Sequence, residues 1–180
     1  MSGKVKKNKK PTIIGFAGFM KSGKTTAAKY VGVRMFSFAT PIKEIAKEEF
    51  KWDGKKDEKG RRLLQVLGTE AGREYSPDIW INRTKEDILD YFRICRIVDK
   101  RKLVVIDDVR YPNEAQFIKD MGGLMIRMDR PGCKAGKHLS EIGLPRTLID
   151  MTIVNEGTKR DLKAQVKGML KYFQLYEANE

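Results

Sequence analysis

The apolar positions of this chain fall into short unbroken runs separated by amphipathic stretches. Thr12-Ile13-Ile14-Gly15-Phe16-Ala17 is one run, and Leu103-Val104-Val105-Ile106 is another. Runs of this length, bounded by glycine or charge, predict strands buried on both faces, as in a parallel sheet. Met35 to Ala39, Leu124 to Met128 and Met151 to Val154 supply three more. Between the runs, apolar residues recur at helical spacing. A helix is predicted from Thr26 through Val31. Pro41 opens a second that runs to Phe50, proline being favoured in a first helical turn. Lys51 to Gly60 is charged, holds two glycines and predicts a loop. Arg61 to Gly72, with Leu63, Leu64, Val66 and Leu67, predicts a helix. Pro77 opens another, with Ile79, Trp80, Ile88, Leu89 and Phe92 as its stripe. Pro112 to Met121 predicts a helix closed by Gly122-Gly123. Pro131 to Gly136 reads as a loop, Ser140 to Leu144 as a short helical segment and Thr158 to Tyr176 as a terminal helix.

Strands alternating with helices predict an α/β domain around a central, mainly parallel five-stranded sheet. Ligands of such sheets gather at the carboxyl ends of the strands. Three chemistry-bearing segments fall there: Gly18 to Thr26 after the first strand, Asp107-Asp108 after the third, and the loop of Arg130 after the fourth.

The first segment, Gly18-Phe19-Met20-Lys21-Ser22-Gly23-Lys24-Thr25, fits the phosphate-loop pattern G-x-x-x-x-G-K-[ST] at every fixed position. Its place between a predicted strand and a predicted helix is the context that pattern requires. Gly18 and Gly23 let the backbone come close to phosphate oxygens. The loop amides and the helix N-terminus supply partial positive charge. Lys24 reaches β- and γ-phosphates, and the Thr25 hydroxyl suits Mg²⁺. Met20, Lys21, Ser22 and Thr26 complete the ATP-binding expectation. Asp107, at the end of four apolar residues, is the expected carboxylate for the Mg²⁺ shell. Asp108 has two roles open, contact with the acceptor or orientation of Arg110.

Phosphoryl transfer needs cations around the transferring group, and arginine takes phosphate oxygens bidentately. Arg62, Arg73, Arg110, Arg127 and Arg130 are the candidates. Arg110 and Arg130 stand out because each follows a predicted strand end, whereas Arg127 lies within a strand and reads as structural. Lys24, Arg110 and Arg130 form the catalytic set. His138, the single histidine, is left outside it.

The chain has 180 residues, 41% of them hydrophobic, enough for one domain with a sizeable core. No apolar run approaches the roughly 20 residues of a membrane span, and no apolar stretch follows the basic N-terminus as a secretory signal would require. Cys95 and Cys133 lie outside any metal-ligand spacing, which points to a reduced, cytoplasmic protein. The formal net charge is +13. Five lysines crowd residues 4–10, so residues 1–10 read as a disordered basic tail and 11–180 as the folded domain. The remaining cations are spread along the chain. That spread weighs against nucleic acid as the main partner and suits an enzyme of phosphorylated small molecules.

A series of segments resembles the phage-type deoxynucleoside monophosphate kinases, a branch of the P-loop nucleoside monophosphate kinases. They are Gly15-Phe16-Ala17-Gly18 leading into Ser22-Gly23-Lys24-Thr25-Thr26; Phe36-Ser37-Phe38-Ala39-Thr40-Pro41-Ile42-Lys43; Arg62-Leu63-Leu64-Gln65 with Gly68-Thr69-Glu70 and Arg73; Asp78-Ile79-Trp80; Asp107 to Ala115; Arg130-Pro131-Gly132; His138 to Glu141; and Asn155 to Thr158. The resemblance implies a three-layer P-loop NTPase fold with a helical acceptor-binding insertion (about 41–100) and a lid (about 130–142). It implies an acceptor site of Phe38, Lys43, Arg62, Arg73, Trp80, Asp108, Arg110 and Glu141. The activity it implies is transfer of the ATP γ-phosphate to a deoxynucleoside monophosphate, with Mg²⁺ as cofactor, and it leaves a homodimer open. Two alternatives stay open on the residues alone: a kinase of another acceptor, such as dephospho-coenzyme A or a phosphorylated metabolite, and a P-loop nucleic-acid-binding protein.

Overall fold

A computed structural model of the chain describes residues 13–97, 102–133 and 143–175. Five strands form one sheet: β1 (Ile13–Ala17), β2 (Arg34–Phe36), β3 (Val104–Val109), β4 (Leu124–Asp129) and β5 (Met151–Val154). Their spatial order is β2-β3-β1-β4-β5, and every adjacent pair is parallel. The all-buried β1 lies at the centre, with Ile14 opposite Val105 on one side and Leu124 on the other.

Helices cover both faces. On one, α1 (Lys24–Val31) and α6 (Lys159–Tyr172) bury Ala27, Ala28, Leu162, Val166 and Met169 against Ile14, Phe16 and Ile126. On the other, α4 (Ile79–Ile97) and α5 (Pro112–Asp120) bury Ile81, Ile88, Phe92, Ala115 and Ile118 against Ile13, Val104 and Ile106. A Cβ on Gly15 would fall 2.5 Å from Ile118 Cδ1, so glycine in β1 lets α5 pack close. The chain between β2 and β3 also carries α2 (Thr40–Glu48), α3 (Glu58–Gln65) and a π-helix (Val66–Arg73).

The structure departs from the sequence expectations in several places. The strand expected over Met35 to Ala39 ends at Phe36. The amides of Phe38 and Ala39 donate instead to the Asp108 carboxylate, each at 2.9 Å, so no ladder continues there. The loop expected through Gly60 gives way at Glu58 to α3, capped by Asp57, whose side chain accepts from Gly60 N at 2.8 Å. Gly60 is a packing glycine, since its Cβ would meet the Lys55 carbonyl oxygen at 2.1 Å. The single α-helix expected over Arg61 to Gly72 is α-helical only to Gln65 and continues as the π-helix, with two closely packed glycines, Gly68 and Gly72. The helices expected to start at Pro77 and to end at Tyr176 start at Ile79 and end at Tyr172. The basic tail, His138, Glu141 and most of the 130–142 segment lie outside the described residues.

Candidate active site

The turn from β1 into α1 carries the phosphate loop. Gly18 has φ 138° and Gly23 φ 103°, and Lys21 holds a left-handed φ of 66°. A Cβ on Gly18 would sit 2.3 Å from the Met128 carbonyl oxygen of β4, so the loop backbone lies against the neighbouring strand and only glycine fits. Gly23 is the residue before α1, and its carbonyl accepts from Ala27 N at 2.9 Å as the first helical bond. Lys24 folds back over the loop, with Nζ donating to the carbonyls of Gly18 and Phe19 at 2.7 Å each. An anionic phosphate competes well for that ammonium, because hydrogen bonds to charged acceptors are stronger than those to neutral carbonyls.

Next to the loop, Thr25 Oγ1 donates to Asp107 Oδ2 at 2.6 Å. β3 thus brings its carboxylate to the first turn of α1. Burial and the charge of Asp108 raise the Asp107 pKa above its ordinary value, while Thr25 and Lys43 oppose the rise. The donor set is a hydroxyl and a carboxylate, both oxygen, which suits a hard cation. No cluster of three metal-ligating side chains occurs among the described residues. Mg²⁺ is usually held by one or two protein oxygens together with substrate phosphates, and Thr25 with Asp107 offers two such oxygens.

Asp108 faces the β2–α2 turn. Its Oδ2 accepts from Ser37 Oγ at 2.6 Å, in addition to the bonds from the Phe38 and Ala39 amides. It therefore holds the segment that leads into Lys43. Glu114 does the same for the segment after β3. It is 1% exposed, and its Oε2 accepts from the amides of Arg110 (2.7 Å) and Tyr111 (3.1 Å). The Tyr111 bond ties the Glu114 carboxylate back to the N-cap amide at the start of α5. Glu114 Oε1 accepts from Arg73 Nη2 at 2.7 Å. Arg73 also donates to the Gly68 carbonyl at 2.7 Å and lies 4.2 Å over the Tyr111 ring. Burial pushes the Glu114 pKa up, and Asp108 adds to the push. Both acids are thus placed as scaffolding for two cationic segments.

These parts open into one cavity of about 420 Å³. Of the expected ATP-site residues, Met20, Lys21, Lys24 and Thr25 line it, whereas Gly18, Ser22, Gly23 and Thr26 do not. Of the expected acceptor residues, Phe38, Lys43, Arg73, Asp108 and Arg110 line it, and Asp107 joins them. Arg62 does not. It is exposed at the protein surface and pairs with Glu70. Trp80 does not either. Its Nε1 donates to the Gly68 carbonyl at 2.9 Å and its ring packs under Gly72, so it supports the π-helix from beneath. Arg130 follows β4, exposed and outside the lining, and Arg127 Nε binds Asp129 at 2.8 Å within that strand. Sequence reasoning assigned no role to Ser37, Tyr111, Glu114 or Asn155. All four stand in segments that carried the resemblance, and that membership was their only signal.

Comparison with known proteins places this arrangement. A family model described as deoxynucleotide monophosphate kinase matches residues 52–166. A protein of Acanthamoeba polyphaga mimivirus, named as a candidate deoxynucleotide monophosphate kinase, is 34% identical over 181 residues, covering 86% of this chain and 93% of its own. The deoxynucleotide monophosphate kinase of Enterobacteria phage T4 is 31% identical over 113 residues, which cover 62% of this chain and 45% of the phage protein. The chain thus spans about half the length of that relative. Among solved structures, a dephospho-CoA kinase from Campylobacter jejuni superposes with a TM-score of 0.50 at 13% identity, covering 89% of this chain and 96% of its own. That likeness is one of fold, the α/β P-loop fold. Well over half of the chain follows the family model, and the mimivirus relative matches it along most of both lengths: the chain belongs to the deoxynucleotide monophosphate kinase family.

Proposed function

We propose that this chain transfers the γ-phosphate of ATP to a deoxynucleoside monophosphate, releasing ADP and the deoxynucleoside diphosphate. The observation that carries the reading is the shared cavity. Lys24 and Thr25 of the phosphate loop open into the same 420 Å³ as Lys43, Arg73 and Arg110 from the segments beyond β2 and β3. Such a volume suits a nucleotide, and its two cationic groups suit two phosphates brought face to face.

In this reading the ATP triphosphate lies along the loop, with Lys24 between the β- and γ-oxygens. A Mg²⁺ ion held near Thr25 and Asp107 would neutralise charge on the phosphates as it develops. Lys43 and Arg73 hold the acceptor phosphate, with Arg73 kept rigid by Glu114, Gly68 and Tyr111. An oxygen of that phosphate attacks the γ-phosphorus in line. The bond from the γ-phosphorus to the β,γ-bridging oxygen breaks, and the electron pair leaves with ADP. The attacking oxygen is already anionic near neutral pH, so no histidine base is needed. Arg110 and, from the outer side, Arg130 stabilise the transferring group, while positioning supplies most of the rate. Residues 41–100 then form the acceptor-binding insertion of a single kinase domain over 11–180.

The test is a panel of deoxynucleoside monophosphates and their ribose counterparts, each with ATP and Mg²⁺. Wild-type protein should convert at least one deoxynucleotide to its diphosphate. Lys24→Met should abolish transfer while lowering the melting temperature by only a few degrees, since it keeps the apolar stem and gives up, with the charge, the bonds to the Gly18 and Phe19 carbonyls. Folded wild-type protein inert toward every mononucleotide would refute the substrate class. Lys24→Met turnover equal to wild type would refute the phosphate-loop assignment.

A further inference from the structure

The turn between β5 and α6 contains a buried polar side chain that the reaction above leaves unused. Asn155 is 8% exposed. Its Nδ2 donates to the carbonyl oxygen of Ser22 at 2.9 Å. Its own backbone N–H donates to the Asp129 carbonyl at 2.7 Å, where β4 ends. A Cβ on Gly23 would come within 2.5 Å of the same Nδ2. The amide is therefore seated directly on the backbone of the phosphate loop.

What lies across that peptide makes the seat consequential. The peptide bonds are trans, and a trans peptide is planar, so the Ser22 carbonyl and the Gly23 N–H point in opposite directions. Holding the oxygen toward Asn155 aims the Gly23 N–H away from it, toward the side on which a phosphate loop receives its anion. Gly23 has φ 103° and ψ 10°. Rotating this one peptide by half a turn would carry φ to roughly −80°, which glycine adopts as readily. The rotated unit would turn a carbonyl oxygen toward the phosphates in place of an N–H. The close contact that requires glycine at this position thus also leaves the peptide free to flip. The adjacent side chain supplies no restraint, because Ser22 Oγ is buried and has no hydrogen-bond partner among the described residues.

We infer that Asn155 is a positioning residue for phosphoryl transfer, whose amide locks the Ser22–Gly23 peptide in the orientation that offers an N–H to the donor phosphates. It rests on the donor-site reading above and acts through Gly23, without itself touching nucleotide. A structural brace alone would lower stability and affect both substrates alike. The lock acts on the ATP side.

The experiment uses the full chain with ATP, ADP, Mg²⁺ and whichever deoxynucleotide the panel identifies. Asn155→Ala removes the donor. Asn155→Asp keeps the volume and sets a carboxylate against the carbonyl, so it reports even where the alanine variant fails to fold. The KM for ATP and the Kd for ADP should rise about tenfold in either folded variant, the equivalent of one lost hydrogen bond. The acceptor KM should stay within about twofold of wild type. With ¹⁵N-glycine labelling, the Gly23 amide resonance should shift on ADP saturation in wild type and shift less in Asn155→Asp. A protonated carboxyl can donate to the Ser22 carbonyl. Asn155→Asp, normalised to wild type at each pH, should therefore recover ADP affinity as pH falls. Equal changes in the ATP and acceptor KM values, or wild-type ADP affinity in Asn155→Asp, would overturn the lock alone. Wild-type protein that binds no ADP would sink the donor site and the lock with it.

Discussion

Glu114→Ala is the most informative single perturbation of the scaffold. The Glu114 side chain is 2% exposed and that of Arg73 15%, so their ion pair is largely removed from water. Deleting the carboxylate leaves the Arg73 Nη2 without its acceptor at 2.7 Å and strips the Arg110 and Tyr111 amides of theirs. Removing one partner of a buried pair costs about 3–5 kcal/mol, and each orphaned amide about 1–3 kcal/mol where water cannot reach it. Arg73 keeps its bond to Gly68 and its contact with Tyr111, and water reaches half-buried Tyr111. The losses overlap for these reasons, and about 4 kcal/mol is expected. For a chain of this size that is a fall of about 12 °C in melting temperature. Glu114→Gln, which keeps an acceptor for the amides but points a donor or a neutral oxygen at Arg73, should lose about half as much. Thermal melts of both variants, with an Arg73→Ala and Glu114→Ala double-mutant cycle, measure the coupling. Because the proposed reaction assigns Arg73 to the acceptor phosphate, the acceptor KM should rise more than the ATP KM in Glu114→Gln. A Glu114→Ala protein melting within about 3 °C of wild type, or a cycle without coupling, would refute the buried-pair reasoning.

Two further outcomes follow from the site. Burial raises the Asp107 pKa, so the folded chain holds a proton in a pH window above 3.8, the ordinary Asp value, where the unfolded chain has lost it. Ligand-free stability should fall as pH rises through the raised value, and Asp107→Asn should be more stable than wild type at pH 7 while losing Mg²⁺-dependent turnover; melts across pH 4–7 with Mg²⁺ titrations test the sign. Gly72→Ala would place a Cβ 2.6 Å from Trp80 Cζ2 and 2.7 Å from the Leu67 carbonyl oxygen, so it should cost about 1–3 kcal/mol and shift the tryptophan emission; unchanged emission and melting would show that the π-helix yields without strain.

Much of the frame was legible because it rests on local signals. Ile13 to Ala17 and Val104 to Ile106 read as buried strands since both sheet faces are covered, and the phosphate loop followed from its fixed glycines and lysine. The π-helix was not legible: eight residues with Val66 and Leu67 apolar fit a helix of either pitch, and the wider turn shows only in the folded backbone. Trp80 itself reads as part of an acceptor pocket until its Nε1 is found on the Gly68 carbonyl. Arg62 carries the right charge, but Glu70, eight residues on, neutralises it outside the cavity. Ser37, Glu114 and Asn155 act through partners 71, 41 and 133 positions away, and no window of sequence brings such partners together.

The sheet order has a consequence for the growing chain. β1 precedes both of its neighbours by a long stretch of chain: Ile13 pairs with Val104, and Ile14 with Leu124. The amide that braces the phosphate loop comes later still, from Asn155. A nascent chain therefore carries the nucleotide motif through the 133 positions that separate Ser22 from Asn155 before this brace exists. Closing such distant contacts is slow, and an unpaired apolar strand such as β1 is open to association with other chains in the interval. Nucleotide affinity should accordingly appear only as β4 and the β5–α6 turn dock, late in folding, which makes bound ATP a marker of a finished fold.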